Sequence, residues 1–147
     1  MPKQVLDVHQ MQHLQELGLE LKETMMYWAR CVDNNPRAVT HYGKWVLIKG
    51  NNAQTVGLMH WEFIPAYTLQ DVLDALPKYY HIANIGWTKL SIRVHTTKEW
   101  EIGYVYTDEL SKYAYKCRIL GKELIDAAYE LFCWCVEWGF VETNKNK

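Results

Sequence analysis

The fold of this chain is decided by residues 124–138, which read LIDAAYELFCWCVEW. Helical periodicity of about 100° per residue places their apolar side chains on an arc of roughly 220°. A helix that lies on a single sheet needs an apolar stripe only a little wider than about 100°. The stretch therefore predicts a C-terminal helix that is buried by two or more surfaces. Few side chains are left for water: Lys122, Glu123, Asp126, Glu130, Glu137 and the small Cys133.

Aromatic side chains extend both flanks of this apolar arc. Trp134 and Trp138 lie on one flank, and Tyr129 and Val136 lie on the other. A sheet and one further helix would cover the centre and one flank, which leaves one edge without a partner. Because exposed apolar surface of this kind marks protein interfaces, we predict a partner surface at Tyr129, Trp134 and Trp138. The partner is another protein or a second copy of the chain in a homodimer.

Two further helices are predicted upstream. The first begins near Asp7 and ends before Gly18, which is placed as a C-terminal cap. The second lies between Thr68, whose hydroxyl can cap its first turn, and Pro77, which disfavours its continuation. Asp71 in its first turn lies at the positive end of the helix dipole. The side chains directed towards the core are Leu69, Val72, Leu73 and Leu76.

Alternating and β-branched stretches predict two antiparallel meanders. The first covers residues 24–61 and the second follows the central helix. A turn at residues 96–98 sets Arg93 opposite Glu101, and Arg118 falls on the other side of the same carboxylate. The strands are expected at residues 24–32, 39–49, 55–61, 88–95, 99–106 and 113–119. The apolar face of the second meander is expected to cover the C-terminal helix with Leu90, Ile92, Val94, Trp100, Ile102 and Tyr104.

The predicted fold is a single α+β domain over residues 1–147. Antiparallel meander sheets are packed by the long C-terminal helix, with a short central helix and an N-terminal helix beside them. Residues 1–5 and 142–147 are expected to fray, as terminal segments commonly do.

The composition argues against several classes of function. Sixteen basic and seventeen acidic side chains give a net charge of -1, which disfavours nucleic acid as a partner. No run approaches the ~18 apolar residues of a membrane span, and the first residues lack the apolar core of a signal peptide. The four cysteines form no CxxC pair, so reduced thiols are expected. These features predict a cytoplasmic protein with no membrane partner.

No arrangement of residues predicts catalysis. His9 and His13 have the i, i+4 spacing of a metal-binding pair but lack a third ligand nearby in the sequence. Glu99 and Glu101 share a strand face, as the two carboxylates of a glycosidase would. Ion pairs with arginines on the neighbouring strands explain these carboxylates without a catalytic role. No GxSxG or GxGxxG motif occurs. We therefore expect protein binding, with no catalytic, cofactor-binding or metal-binding residue and no cofactor.

Two alternative functions stay open. A small enzyme could use an active site that no sequence motif reveals, and an ordered pocket with a strongly shifted carboxylate would favour it. A single-stranded nucleic-acid accessory protein could stack bases on Tyr79 and Tyr80 beside Lys78. A continuous basic groove with outward aromatic side chains would favour that second alternative.

Two stretches carry a resemblance to known proteins. Residues 64–77 read IPAYTLQDVLDALP, and residues 124–140 read LIDAAYELFCWCVEWGF. Together they resemble a group of small uncharacterised proteins of gut Bacteroidales bacteria that occur among prophage and mobile-element genes. The order of elements is also similar, and the resemblance extends from Met11 to Phe140. It implies a phage- or mobile-element-type accessory protein, and it brings no activity and no site residues with it.

Overall fold

The computed structural model describes residues 3–31, 44–50, 61–82, 86–107 and 113–143. These residues form three helices and two antiparallel sheets, which confirms the predicted α+β class. The helices are α1 (Val8–Glu16), α2 (Leu69–Ala75) and α3 (Leu124–Glu137). The strands are β1 (Met26–Cys31), β2 (Val46–Lys49), β3 (Trp61–Pro65), β4 (Tyr79–Ile82), β5 (Gly86–Thr96), β6 (Glu99–Tyr106) and β7 (Tyr113–Gly121). None of these helices is long and apolar enough to span a membrane.

The first sheet has β1 at its centre, in the order β2-β1-β3. The meander order predicted for residues 24–61 is not observed, because β3 pairs with β1 and not with β2. In this central position β1 has a neighbouring strand on each side, so both of its backbone edges are paired. Its Tyr27 and Ala29 are buried. Large parts of the strands predicted at 39–49 and 55–61 lie outside the described residues.

The second sheet is a meander in the order β4-β5-β6-β7. Its last three strands match the prediction, and β4 adds an outer strand that the sequence does not predict. Arg93 lies opposite Glu101 as predicted. The Nε atom of Arg118 is 2.7 Å from a carboxylate oxygen of the same Glu101. Both predicted arginine neighbours of Glu101 are thus present, but the predicted β6–β7 register is wrong by two residues. Arg118 lies opposite Gly103 and reaches Glu101 diagonally, because the pairing is irregular between Gly103 and Val105.

α3 is buried by more than one surface, as its sequence predicts. It packs on β6 and β7, and also on α2. Ala128, Leu131 and Cys135 are fully buried at the centre of its apolar arc. The close packing of β7 against the helix is visible at Gly121, where an added Cβ would lie 3.2 Å from the Cβ of Ala127. The C-terminal helix therefore forms one wall of the core.

Two parts of the predicted burial pattern of α3 are wrong. Cys133 is buried instead of facing water, because Tyr129 one turn earlier lies against it and shares a hydrogen bond with it. Ile92, Val94 and Trp100 are 39%, 68% and 38% exposed, although they were expected to cover the helix. The helix packs mainly on β6 and β7, so the far end of the β5–β6 hairpin extends beyond it.

The N-terminal segment is held against the core. Val5 forms a β-bridge with Thr68, and the Lys3 ammonium is 2.7 Å from a carboxylate oxygen of Asp126 in α3. The Gln10 amide donates to the same carboxylate at 2.9 Å. Lys3 and Val5, which the sequence predicts to fray, thus each have a partner in the core elements.

Local capping signals set the ends of the first two helices. Asp7 caps α1, and Gly18 follows the helix with a φ of 95° in the left-handed region. Thr68 caps α2, and its hydroxyl accepts a hydrogen bond from the Asp71 N–H at 3.2 Å. At the other end of the chain Thr143 is buried, and residues 144–147 lie outside the described part.

Candidate functional site

The structure separates the predicted partner residues into two groups. Trp134 and Trp138 stack on each other, with ring centroids 5.6 Å apart and ring planes at 25°. Tyr129 lies elsewhere on the helix, edge-on to His13 with centroids 6.4 Å apart. Trp138 is 60% exposed, whereas Trp134 and Tyr129 are half-buried. Trp138 therefore offers the most accessible apolar surface of the three.

The stacked tryptophans belong to a larger aromatic cluster at the end of α3. The Phe140 ring lies edge-on to Trp134, with centroids 5.1 Å apart. The same Phe140 ring packs on Tyr80 of β4 at a centroid distance of 3.8 Å. We call Tyr80, Trp134, Trp138 and Phe140 the aromatic corner. It connects the C-terminal end of α3 with the outer strand of the second sheet.

The end of α3 sets the position of Phe140. Gly139 follows the helix with a φ of 78°, in the left-handed region. Its N–H donates to the Val136 carbonyl at 3.1 Å, and the Phe140 N–H donates to the Cys135 carbonyl at 2.7 Å. This pair of bonds is the Schellman motif, which turns the chain back over the last helical turn. Phe140 is thereby placed against both the helix and β4.

β4 has one backbone edge that no strand in the described part of the chain pairs with, because β4 is the outer strand of its sheet. The Leu90 N–H donates to the Lys78 carbonyl at 2.9 Å. Bonds of this kind recur at every second residue of an antiparallel pair, so Tyr80 also bonds to β5. The N–H and C=O groups of Tyr79 and His81 therefore point away from the sheet.

Aromatic side chains flank this edge on both faces of the sheet. Strand residues alternate in direction, so Tyr79 and His81 face the side opposite Tyr80. Tyr79 is 64% exposed. The His81 ring lies edge-on to Trp87 with centroids 5.2 Å apart, and Trp87 is 59% exposed. The edge thus combines free backbone groups with accessible rings above and below.

Two members of the aromatic corner, Trp134 and Trp138, are predicted from the sequence as a partner surface. Tyr80 is predicted only as a possible base-stacking ring, because β4 spans four residues, too few for alternation to predict a strand that meets α3. Phe140 does have a sequence signal. A glycine after a helix, followed by an apolar residue, is typical of a Schellman motif with its apolar contact.

Tyr129 is half-buried, and the two thiols of α3 lie in the interior. Burial raises the pKa of Tyr129, and the hydrogen bond with Cys133 raises it further. Burial raises the pKa of Cys133 to about 11, against the lowering effect of that hydrogen bond. Burial also raises the pKa of Cys135 to about 11. Both thiols are therefore protonated at neutral pH, a form that is a poor nucleophile and a poor metal ligand.

A groove of about 860 Å³ lies between α2 and the segment that follows α1. Tyr67 and Phe132 line it. Asp71, which also lines it, is used within the fold, because its carboxylate accepts hydrogen bonds from Thr68 and Thr24. The other carboxylates of the lining are exposed: Glu20, Glu23, Asp74 and Glu142. Charges that face water contribute little to binding one ligand tightly.

Of the histidine pair and the carboxylate pair considered in the sequence, His13 and Glu101 each lie beside a partner side chain. His13 Nδ1 is 3.8 Å from a carboxylate oxygen of Glu16. Glu101 is held by Arg118 at 2.7 Å and lies 3.6 Å from Nδ1 of His95. Across the described ranges, no group of three His, Cys, Asp or Glu side chains could hold a metal ion. The aromatic corner and the β4 edge are therefore the surfaces that we interpret.

Comparison with protein-family models, with curated proteins and with solved structures finds no match to this chain.

Proposed function

We propose that this protein acts by binding another protein rather than by catalysis, and that the aromatic corner and the β4 edge form its contact surface. The observation that carries the proposal is the exposed ring of Trp138, stacked on Trp134. Tryptophan and tyrosine are the residues in which binding energy concentrates at protein interfaces. A ring that is already held in place also loses little conformational freedom on binding.

The β4 edge supports the same proposal. An extended segment of a partner can add to an open sheet edge, where backbone hydrogen bonds give affinity and side-chain contacts give specificity. Here the outward groups of Tyr79 and His81 would receive the backbone of that segment. The aromatic corner on one face, and Tyr79 with Trp87 on the other, would pack against its side chains.

The cellular setting is part of this proposal. Cys133 and Cys135 are buried free thiols, which suit a reducing compartment, and we place the function in the cytoplasm. An origin in a phage or another mobile element is supported by the resemblance of residues 64–77 and 124–140 alone.

Site-specific photo-cross-linking in the native host tests the contact surface. A benzophenone amino acid replaces Trp138 in one variant and Met25, which is 68% exposed beside β1, in a control variant. We expect position 138, and not position 25, to capture one defined protein or a second copy of the chain. The captured protein, once purified, should bind Trp138→Ala at least about tenfold more weakly than wild type, as for an interface hot spot.

Several results would contradict the proposal. Equal capture at both positions, capture at neither, or rebinding that Trp138→Ala leaves unchanged would each do so. Circular dichroism should show a folded Trp138→Ala chain, because the side chain is largely exposed. Trp87 and Lys89 share the other face of the sheet, where they could contact a single-stranded nucleic acid. The nucleic-acid alternative would be favoured if the chain binds a single-stranded oligonucleotide and if Trp87→Ala, but not Trp138→Ala, abolishes that binding.

A further inference from the structure

We infer that the segment that adds to β4 is β4 of a second copy of this chain. The two four-stranded sheets then join into one antiparallel sheet across a two-fold axis at Tyr80. This inference rests on the proposed function, because it names the partner of the same edge. It is carried by the directions of the backbone groups, by the side chains of the strand and by the position of Lys78.

The backbone favours a register centred on Tyr80. Residues that exchange both hydrogen bonds in an antiparallel pair lie directly opposite each other. A two-fold axis at Tyr80 sets Tyr79 opposite His81 of the second copy, and His81 opposite Tyr79 of the second copy. All the outward N–H and C=O groups of both residues are then paired. An axis at Tyr79 would instead set His81 opposite Pro77, which has no N–H to donate.

The side chains of β4 are compatible with this self-pairing. The strand reads YYHI at residues 79–82 and carries no formal charge with histidine neutral, so two copies meet without like-charge repulsion. On one face, Tyr80 meets Tyr80 of the second copy, and each ring is backed by Phe140. On the other face, Tyr79 lies beside His81 of the second copy, whose ring packs on Trp87. The rings of Tyr79 and Tyr80 thereby each gain an aromatic neighbour across the axis.

β4 lacks three of the features that commonly protect a free edge, although its length of four residues is itself one such feature. Such edges commonly carry a charged side chain, a proline or a bulge. The pairing of β4 with β5 is regular over all four residues, none of which is proline. The adjacent Lys78 is directed elsewhere, because its ammonium donates to the carbonyl oxygens of Leu73 and Leu76 at the end of α2. An edge of this kind is expected to pair with another strand.

Sedimentation velocity of the purified full chain tests the inference, which expects a concentration-dependent dimer. His81→Pro removes the outward N–H and no bond to β5, and edge strands accept proline at such positions. By symmetry two hydrogen bonds are lost, each worth about a factor of five, so the association constant should fall about 25-fold. His81→Ala is the matched control. It keeps the N–H and should lower the association constant by less than about threefold.

A charge exchange tests the register independently. One variant carries Tyr79→Lys with His81→Lys, and the other carries Tyr79→Glu with His81→Glu. Both original side chains are exposed, so each variant should fold as a monomer, which near-ultraviolet circular dichroism checks. In the inferred register like charges oppose each other in either homodimer. An equimolar mixture should form the heterodimer, because each lysine then faces a glutamate.

Three outcomes would overturn the second copy as partner. The first is that the wild-type chain stays monomeric at several hundred micromolar. The second is that His81→Pro and His81→Ala dimerise equally. The third is that each charge variant dimerises by itself and the two variants show no preference for each other when mixed. The proposed function is judged separately by cross-linking at position 138. Capture of a different protein there by a monomeric chain would keep the proposed function and overturn this inference, whereas no capture would overturn both.

Discussion

Replacing Gly139 by alanine tests the motif that positions the aromatic corner. The φ of 78° at this residue lies in the left-handed region, where a Cβ costs about 1–2 kcal/mol. An added Cβ would meet no atom within 4 Å, so no steric clash increases this cost. Alanine also restricts the unfolded chain, which offsets about 0.4–1 kcal/mol. We therefore expect Gly139→Ala to lower the free energy of unfolding by about 1 kcal/mol.

Equilibrium unfolding in urea measures this change, followed by tryptophan fluorescence and by far-ultraviolet circular dichroism. A loss of this size corresponds to a decrease in Tm of about 4 °C for a chain of this length. Gly139→Asn is the matched control, because asparagine adopts the left-handed conformation more readily than alanine does. Its loss of stability should be smaller. The Phe140→Ala variant keeps the backbone turn and removes only the ring that packs on Tyr80.

A Gly139→Ala variant that is as stable as wild type, or a Gly139→Asn variant that is less stable than Gly139→Ala, would contradict this expectation. Either result would mean that the left-handed turn does not limit the stability of this helix end. A Gly139→Ala variant that is less stable but binds its partner unchanged would show that partner binding does not depend on the turn. Because the turn positions Phe140, that result would also mean that Phe140 is not needed to hold the tryptophans in their binding position.

Three further predictions concern an ion pair, two thiols and a buried hydroxyl. Burial raises the pKa of Asp126, but hydrogen bonds, first from Lys3, lower it below the ordinary value of 3.8. Its stabilisation is therefore present above about pH 4 and is lost as the pH falls through the lower folded pKa. Urea unfolding across this pH range should show a decrease of less than about 1 kcal/mol in the free energy of unfolding, because the pair of Lys3 and Asp126 is partly exposed. Asp126→Asn should remove this pH dependence. Burial raises the pKa of Cys133 and Cys135 to about 11, which lowers the fraction of reactive thiolate. At mildly alkaline pH, iodoacetamide should therefore alkylate both thiols about 100-fold more slowly in the native chain than in urea, as measured by mass spectrometry. Tyr104→Phe removes a core hydroxyl that donates to a backbone carbonyl at 2.8 Å. It should lower the free energy of unfolding by about 1–3 kcal/mol in the same urea assay. Replacing an exposed tyrosine of β4 by phenylalanine should leave the free energy of unfolding almost unchanged.

Features that depend on neighbours in the sequence could be predicted. α3 begins at Leu124 as predicted, because its apolar periodicity persists over the whole stretch. The caps at Gly18 and Thr68 are confirmed, since each involves residues only a few positions apart. The register of Arg93 with Glu101 is confirmed for a similar reason, because a short turn connects the two strands.

Features that depend on distant segments could not be predicted. Alternation identifies the two faces of a strand, but it does not identify the element that covers each face. Val94 and Trp100 are exposed for this reason, although their pattern is that of a core face. The candidate site shows the same limit. Trp134 and Trp138 follow from the helix itself, whereas Tyr80 joins them only because β4 and the end of α3 meet in the fold.

The apolar periodicity of residues 124–138 is enough to show that α3 is apolar over more of its circumference than one surface can cover. The edge that is left accessible follows only from the packing of the neighbouring elements. Periodicity reports how side chains are distributed around a helix axis, whereas exposure depends on how far the neighbouring elements reach. β6, β7 and α2 cover the centre of the arc. Phe140 turns back to cover part of Trp134, and Trp138 extends beyond these neighbours, where it remains open to a partner.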